Sequence, residues 1–516
     1  MNKTLKLLKN KLHLFENNLI KSKKYSVIYL IFIIIASLSL LKINNYIHPK
    51  MEIFTIILVS ILGIFSITFY SYHDDDKNLY KTAFIIILIF GITCSFLMPM
   101  MCAPDEYEHI VRSEITSEGI LIPEYKNNSY TTIQSIIELK NVKIERNYNW
   151  DILDVKNGTI FTTNIDNKAI NYTLKHYHSA FAQNPFYGYI PQAIGMDIAK
   201  ILNLNTIWLL WLGRICNLIL YASLISLAVK KTPILKIPLI VMSCIPLTIY
   251  QASSLSIDAT INGLGILMIA YFFYMYKLPE KSLGKKEIIV FSIIGLLLTL
   301  CKITYFLLIF LILLVPKNNF KNKNYYYNFL SIIIISILGI IWIKYFMTPG
   351  LKHSYRGTLT HYNSTKQMQY ILNHKRIALV NILNILQNLN NDLIFNVLDL
   401  AFNKFNSIYL LFLGAVGLLY PHEKINIKTR IGALIILLLI YIGTYITFLL
   451  NWTPVGTLNP IGGVQARYFL PLFILIPFIF GFNYMDSDKK EINNYIILLT
   501  IGFLALMIIS LVIKYY

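Results

Sequence analysis

Charge is what this sequence has least of. Only 14% of the 516 residues are Asp, Glu, Lys or Arg, against roughly 25% in soluble domains. Acids are the scarcer half, 26 against 46 Lys and Arg, for a net charge of +20. Hydrophobic residues reach 56% and the mean hydropathy is +0.57. A water-soluble body of this size could not bury so much apolar side chain, which excludes a soluble enzyme, and a disordered chain has the opposite composition. Cysteine is sparse too. Cys94, Cys102, Cys216, Cys244 and Cys301 are an odd number with no CxxC pair, so neither a disulfide scaffold nor a zinc pattern is present. Cys102 and Cys301 fall on the same predicted side, where a disulfide is admitted but not required. HExxH is missing, which removes a metalloprotease of that type. No internal repeat is evident, which argues against an inverted-repeat transporter.

What the chain does have is a series of long apolar runs. They lie at 26–44, 52–72 and 82–101, then at about 206–229, 235–253, 259–276, 287–301, 303–315, 325–346, 405–420, 431–451, 468–483 and 492–513. A helix needs about 20 apolar residues to cross a bilayer. The expected fold is therefore an all-α polytopic membrane protein, a bundle of about 11–13 transmembrane helices. Lysines mark the short connections: Lys230, Lys231 and Lys236; Lys277, Lys281, Lys285 and Lys286; Lys317, Lys321 and Lys323; Lys424, Lys428 and Arg430; Lys489 and Lys490. That is the positive-inside pattern. It accounts for the +20 without a nucleic-acid partner, and none is expected.

The organisation follows from this orientation. Residues 1–24, with Lys3, Lys6, Lys9, Lys11, Lys21, Lys23 and Lys24 among Leu and Phe, form a basic amphipathic cytoplasmic N-terminus without a small-residue cleavage site. Residues 25–101 hold the first three spans. Residues 102–185 are too long and polar for a connector and form a small extracytoplasmic domain. Residues 186–346 carry an interfacial helix, read from the amphipathic stretch 184–202, and the central spans. Residues 347–404 are a second outer loop, and 405–516 the C-terminal spans.

Five polar islands stand out against the apolar background. APDEYEH (103–109) puts Asp105, Glu106, Glu108 and His109 within five positions; with Pro104 in a helical first turn, Asp105 and His109 share a face. Acids at a helix start also complement the dipole, so a plain helix terminus remains open. SSLSID (253–258) offers Ser256 and Asp258, as a helix cap or as a site. Lys302, in CKITY, breaks one apolar stretch at its middle and is either a snorkelling residue or a functional cation. Arg467 and Tyr468, in GGVQARYFLP, are a membrane anchor or a phosphate clamp. Arg214, in WLGRICNL, lies deep in a span and is functional or paired with an acid of a neighbouring span. The topology drawn from lysines alone places Asp105, Glu106, His109, Asp258, Lys302 and Arg467 on one outer face. A site of mixed carboxylates and cations there suits a substrate with an anionic headgroup and a lipid tail, and an acceptor hydroxyl that needs a base.

These islands resemble a known pattern. PDEYEH is similar to the PDExxH motif of the bacterial membrane family called domain of unknown function 2142. The stretch 187–221, with Tyr189, Gln192 and Arg214, is similar to its YxPQxxG…GRxxN segment. SSLSID and QARYFLP resemble its SxSxD and GRYFLP segments, with Ala466 where the family has Gly. The resemblance covers about residues 85–485. It implies kinship with the GT-C fold of protein mannosyltransferases and oligosaccharyltransferases, and hence a polyprenyl-phosphate sugar donor and transfer on the extracytoplasmic side. The acidic residue of the first outer loop, base or metal ligand in that fold, corresponds to Asp105, with Glu106 beside it.

The expected function is therefore a membrane glycosyltransferase. Asp105 and Glu106 would do the catalytic work, and Arg467, Lys302 and Tyr468 would hold the donor phosphate. Glu108, His109, Asp258, Ser256, Tyr189, Gln192 and Arg214 would support the site or bind substrate. A divalent cation (Mg or Mn) on Asp105, Glu106 and His109 is admitted but not required. Partners would be the lipid bilayer, the polyprenyl-phosphate sugar and a glycan or polymer acceptor. Two alternatives stay open: a transporter or flippase of lipid-linked sugars, and a polysaccharide polymerase or ligase, for which the second loop offers His353, Arg356, His361, His374 and Arg376.

Overall fold

In the computed structural model the described residues are 16–41, 49–126, 129–140, 145–146, 153–154, 168–179, 181–352, 361–377, 379–380, 403–421, 423–458, 461, 463–482 and 489–515. Lys3, Lys6, Lys9, Lys11, His353, Arg356 and Gly462 lie outside them, as does most of the second loop.

Long helices dominate. They are α1 (Lys23–Leu41), α2 (Pro49–Tyr72), α3 (Leu79–Leu97), α4 (Glu106–Ser117), α5 (Ile190–Ile201), α6 (Ile207–Lys231), α7 (Asp258–Lys277), α8 (Lys285–Cys301), α9 (Tyr326–Trp342), α10 (Ile427–Asn451) and α11 (Lys489–Tyr515). Among the described residues, seven helical segments are long and apolar enough to cross a membrane: Met51–Tyr72, Leu79–Leu97, Ile207–Lys231, Asp258–Lys277, Tyr326–Gly350, Ile427–Asn451 and Lys490–Ile513. Shorter apolar helices occupy Ile303–Leu314, Asn406–Leu419 and Ala466–Phe480. The 19 residues of α3 span about 28 Å at 1.5 Å per residue, close to the hydrocarbon thickness.

Three runs depart from a plain spanning helix. The run 235–253 is two short helices, Lys236–Ser243 and Pro246–Ala252. Pro246 has no N–H to continue the first helix but suits the first turn of the second. The run 303–315 winds as a 3-10 helix over Ile303–Leu314 after an extended residue, Lys302, at the tip of a hairpin with α8. The run 468–483 is a 3-10 segment, Ala466–Ile474, with Pro471 inside it, passing into a short α-helix, Leu475–Phe480.

Close packing around α6 sets up the site. It lies against α3, α5 and α7. A Cβ on Gly195 of α5 would sit 2.3 Å from the Leu212 carbonyl oxygen, and one on Gly213 2.7 Å from a Leu255 methyl. The backbones of α5 and α6 therefore touch where the two glycines meet, which only hydrogen in place of a side chain permits.

The segment after α3 has its own small core. Ile110, Val111 and Ile115 of α4 pack with Tyr130, Ile133, Ile136 and Leu139, and with Met196 of α5 and Leu210 of α6. Strands β1 (Tyr130–Ile133) and β4 (Leu174–Tyr177) pair antiparallel, Tyr130 opposite Tyr177, and β2 (Glu145–Arg146) pairs with β3 (Leu153–Asp154).

The two ends of the bundle differ. At the end where α2 stops and α3 and α11 begin, Lys21 and Lys490 meet Asp74 at 3.5 and 3.0 Å, and Lys24 meets Glu491 at 3.2 Å. Lys230 and Lys277 end α6 and α7 there. The polar islands gather at the opposite end, where α3 stops and α6 and α7 begin.

Candidate functional site

The site is built in two layers. The deeper layer is an ion pair between Glu106 and Arg214, both fully buried. Arg214 donates from Nε to Oε1 at 2.8 Å and from Nη2 to Oε2 at 2.6 Å. Its remaining N–H groups reach the carbonyls of Ser95, Met98 and Pro99 at 2.8–2.9 Å. These are the carbonyls left over where α3 ends. The Leu255 N–H also donates to Glu106, at 3.2 Å. Both carboxylate oxygens of Glu106 are thus occupied, and one guanidinium joins α3, α4 and α6.

The upper layer is centred on Arg467, which is 5% exposed. Its Nη2 lies 2.5 Å from Asp105 Oδ2, and its Nη1 3.2 Å from Asp258 Oδ2, an ion pair not aligned as a hydrogen bond. Nη1 also donates to the Pro104 carbonyl at 3.3 Å. Arg467 Nε is buried with no acceptor among the described residues. The Lys302 amino group sits 3.4 Å above the Tyr468 ring, and burial pushes its pKa down to about 7 against the pull of Asp258. The Tyr305 hydroxyl donates to the Tyr468 carbonyl at 2.6 Å, tying the Lys302 hairpin to the Arg467 segment.

Asp105 stands in an unusual backbone. Its φ is +61°, left-handed, where few residues other than Gly, Asn and Asp are found. It occupies the N-cap position of α4, yet its side chain makes no capping bond; the carboxylate turns to Arg467 and stays 35% exposed. The plain helix cap therefore does not describe it. Pro104 lies just outside α4 rather than in its first turn, because the left-handed step at Asp105 delays the helix to Glu106.

His109 lies below, 3% exposed. Its Nδ1 is 2.8 Å from the Tyr189 hydroxyl and its Nε2 3.2 Å from Ser256 Oγ. Ser256 Oγ in turn accepts from the Asp258 N–H at 3.1 Å, just ahead of α7. Burial lowers the His109 pKa to about 4 even though Asp258 and Asp105 pull the other way. The ring is neutral at pH 7, which two neutral hydroxyl partners accommodate. Gln192 donates to the Leu255 carbonyl at 3.2 Å, and Asn217 to the carbonyls of Ser254 and Ser256 at 2.7 and 2.9 Å, so both hold the SSLSID turn.

Asp105, Asp258, Lys302, Arg467 and Tyr468 therefore meet in one cluster, with Glu106–Arg214 and His109–Tyr189–Ser256 directly beneath. Glu108 does not join them. It accepts from Tyr177 at 2.8 Å and Ser179 at 2.6 Å and anchors the loop domain. The cation site on Asp105, Glu106 and His109 does not form. Glu106 is engaged by Arg214, His109 by two hydroxyls, and among the described residues no three His, Cys, Asp or Glu converge as a metal would need. All five cysteines are thiols rather than a disulfide.

Two positions escaped the sequence reading. Arg112, fully buried, donates to the carbonyls of Asn184, Ile120 and Leu121 at 3.0, 3.4 and 2.8 Å. Asn184 also donates to Tyr189 at 3.0 Å. Only Arg112 left a signal, its spacing: it follows His109 by three residues, on the same helical face.

The fold and this charged cluster define a polytopic all-α membrane protein with a polar site at one end of its bundle. The chain belongs to the family described as predicted membrane protein (DUF2142), whose model matches residues 88–476. That span includes every motif of the cluster. No curated protein and no solved structure matches the chain.

Proposed function

We propose that the protein is a membrane glycosyltransferase that takes a sugar from a polyprenyl-phosphate donor and passes it to an extracytoplasmic acceptor, a surface glycan or polymer. One observation carries the reading. Arg467, whose Nε has no acceptor among the described residues, is paired with Asp105, a carboxylate that stays 35% exposed, and Lys302 stands over the ring of the next residue, Tyr468. Such an arrangement suits a reaction that gathers negative charge on a departing phosphate while a hydroxyl loses its proton.

In this reaction Asp105 takes the proton of the acceptor hydroxyl. The acceptor oxygen bonds to the anomeric carbon as the carbon–oxygen bond to the phosphate breaks. The electron pair leaves on the phosphate, where Arg467 and Lys302 stabilise it. Attack opposite the leaving group inverts the anomeric centre, through an oxocarbenium-like state. Glu106 acts through position: its pair with Arg214 fixes the first turn of α4, and so fixes Asp105. Asp258 and Tyr468 orient the two cations. The lysine-rich loops at the far end support an extracytoplasmic location for the site.

The test is to incubate purified protein with a polyprenyl-phosphate sugar and candidate acceptors and to follow released lipid phosphate. Release that depends on Asp105 supports the proposal. Movement of intact lipid-linked sugar across a vesicle membrane without bond cleavage would replace it with a flippase.

A further inference from the structure

Residues 119–122, between α4 and the loop domain, read Gly-Ile-Leu-Ile. Ile120, Leu121 and Ile122 are 42–60% exposed, three large apolar side chains in succession on a turn. The turn is held in place. Gly119 adopts φ +77°, Arg112 grips the carbonyls of Ile120 and Leu121 from beneath, and Ile120 N–H bonds to the Ile115 carbonyl at 3.2 Å. A buried cation engaged by carbonyls to display apolar residues to water would be a poor use of both.

A second apolar face lies next to it. Along α5, Ile190, Ile194, Ile198 and Ile201, with Leu202 after it, are exposed on one stripe, while Gln192, Gly195, Met196 and Ala199 face inward. The two surfaces are joined: Lys200 of α5 pairs with Glu118 and donates to Ser117 Oγ at 2.7 Å, at the start of the turn. After five connecting residues, 202–206, the chain enters the membrane-spanning helix α6 at Ile207. The end of α5 is therefore at the bilayer boundary, and the turn beside it is at the same level.

We infer that Ile120–Ile122 is a second foot of the loop domain in the bilayer interface, alongside the α5 stripe. The occupant of this surface is the lipid at the boundary between headgroups and acyl chains, into which apolar faces of this size sink about 5–10 Å. Both feet meet α4 at its C-terminal end, one through Lys200 and the other through the turn itself, so they tie the helix that starts beside Asp105 to the interface. This inference is independent of any reaction at the site.

The test uses the full chain in lipid nanodiscs, with L121W and, as a reference, I194W, each compared with the parent. Emission added by the new tryptophan is quenched with phospholipids brominated at shallow acyl positions and, separately, with aqueous iodide. Strong lipid quenching and weak iodide quenching at position 121 support the inference, whatever the result at 194. Iodide quenching at 121 with no response to brominated lipid overturns it. Because L121W adds bulk only to an exposed side chain, correct folding is checked by an elution volume and melting temperature equal to the parent's.

Discussion

Arg214 and Glu106, 108 positions apart, form a two-pronged ion pair that no solvent reaches. Removing either partner leaves a buried charge uncompensated, which costs roughly 3–5 kcal/mol. E106Q and R214A are therefore expected to lower the melting temperature sharply or to abolish a monodisperse peak in detergent. R214K keeps the charge but not the fork, and should recover only part of the loss. Unchanged melting of E106Q would mean the pair does not hold this part of the fold.

Asp105 is the contrasting neighbour. It is partly exposed, and Asn is among the few residues that accept its left-handed backbone. Asp258 still faces Arg467 in D105N, so the variant should fold and lose no more than about 1 kcal/mol of stability, yet lose roughly 10²–10⁴-fold in transfer rate. Full activity of D105N would remove Asp105 as the base.

Lys302 is expected to report on the donor. K302M replaces the ammonium with an apolar group of similar length, so the fold should persist while apparent affinity for the lipid-phosphate donor falls about tenfold or more, given charge-assisted bonds of roughly 1.5–3 kcal/mol. Steady-state measurement over a range of donor concentrations separates this from a change in maximal rate. An unaltered donor dependence would place the phosphate elsewhere.

The helix contact at Gly195 admits no methyl group. G195A would drive a Cβ to 2.3 Å from a backbone oxygen, and neither helix can yield by rotating a side chain. A loss of about 1–3 kcal/mol follows from overpacking alone, read as a lower unfolding temperature. G119A, with open space around it but φ +77°, should cost less, and only through strain.

His109 is expected to make the protein acid-sensitive. Its pKa is about 4 when folded, against an ordinary value near 6.5. The unfolded chain therefore binds the proton first, and stability falls as pH drops from about 6.5 to about 4, by at most about 1.4 kcal/mol per unit for one group. Above pH 6.5 the contribution is flat. H109Q cannot take up the proton, so denaturant titrations across this window should show a shallower slope than the parent. Equal slopes would assign the acid sensitivity to other groups.

The sequence was most legible where membrane physics leaves few choices. Apolar runs and lysine-rich connections gave the helical class, and they also predicted that Asp105, Asp258, Lys302 and Arg467 would share one end, where contacts now join them. It was least legible where partners are chosen across the chain. Arg214 was readable as a buried cation needing an acid, but nothing local distinguished Glu106 from Asp105 as that acid. Their opposite roles depend on a left-handed step between adjacent residues. The break at Pro246 and the 3-10 winding after Lys302 were hidden for another reason: hydropathy counts apolar residues without registering how they wind.

Arg214 also constrains biogenesis. When α3 leaves the translocation machinery its last carbonyls and the Glu106 carboxylate have no partner, and the arginine that satisfies them belongs to α6. More than a hundred residues must be synthesised before the cation arrives. Until then water at the membrane edge must satisfy these groups in its place.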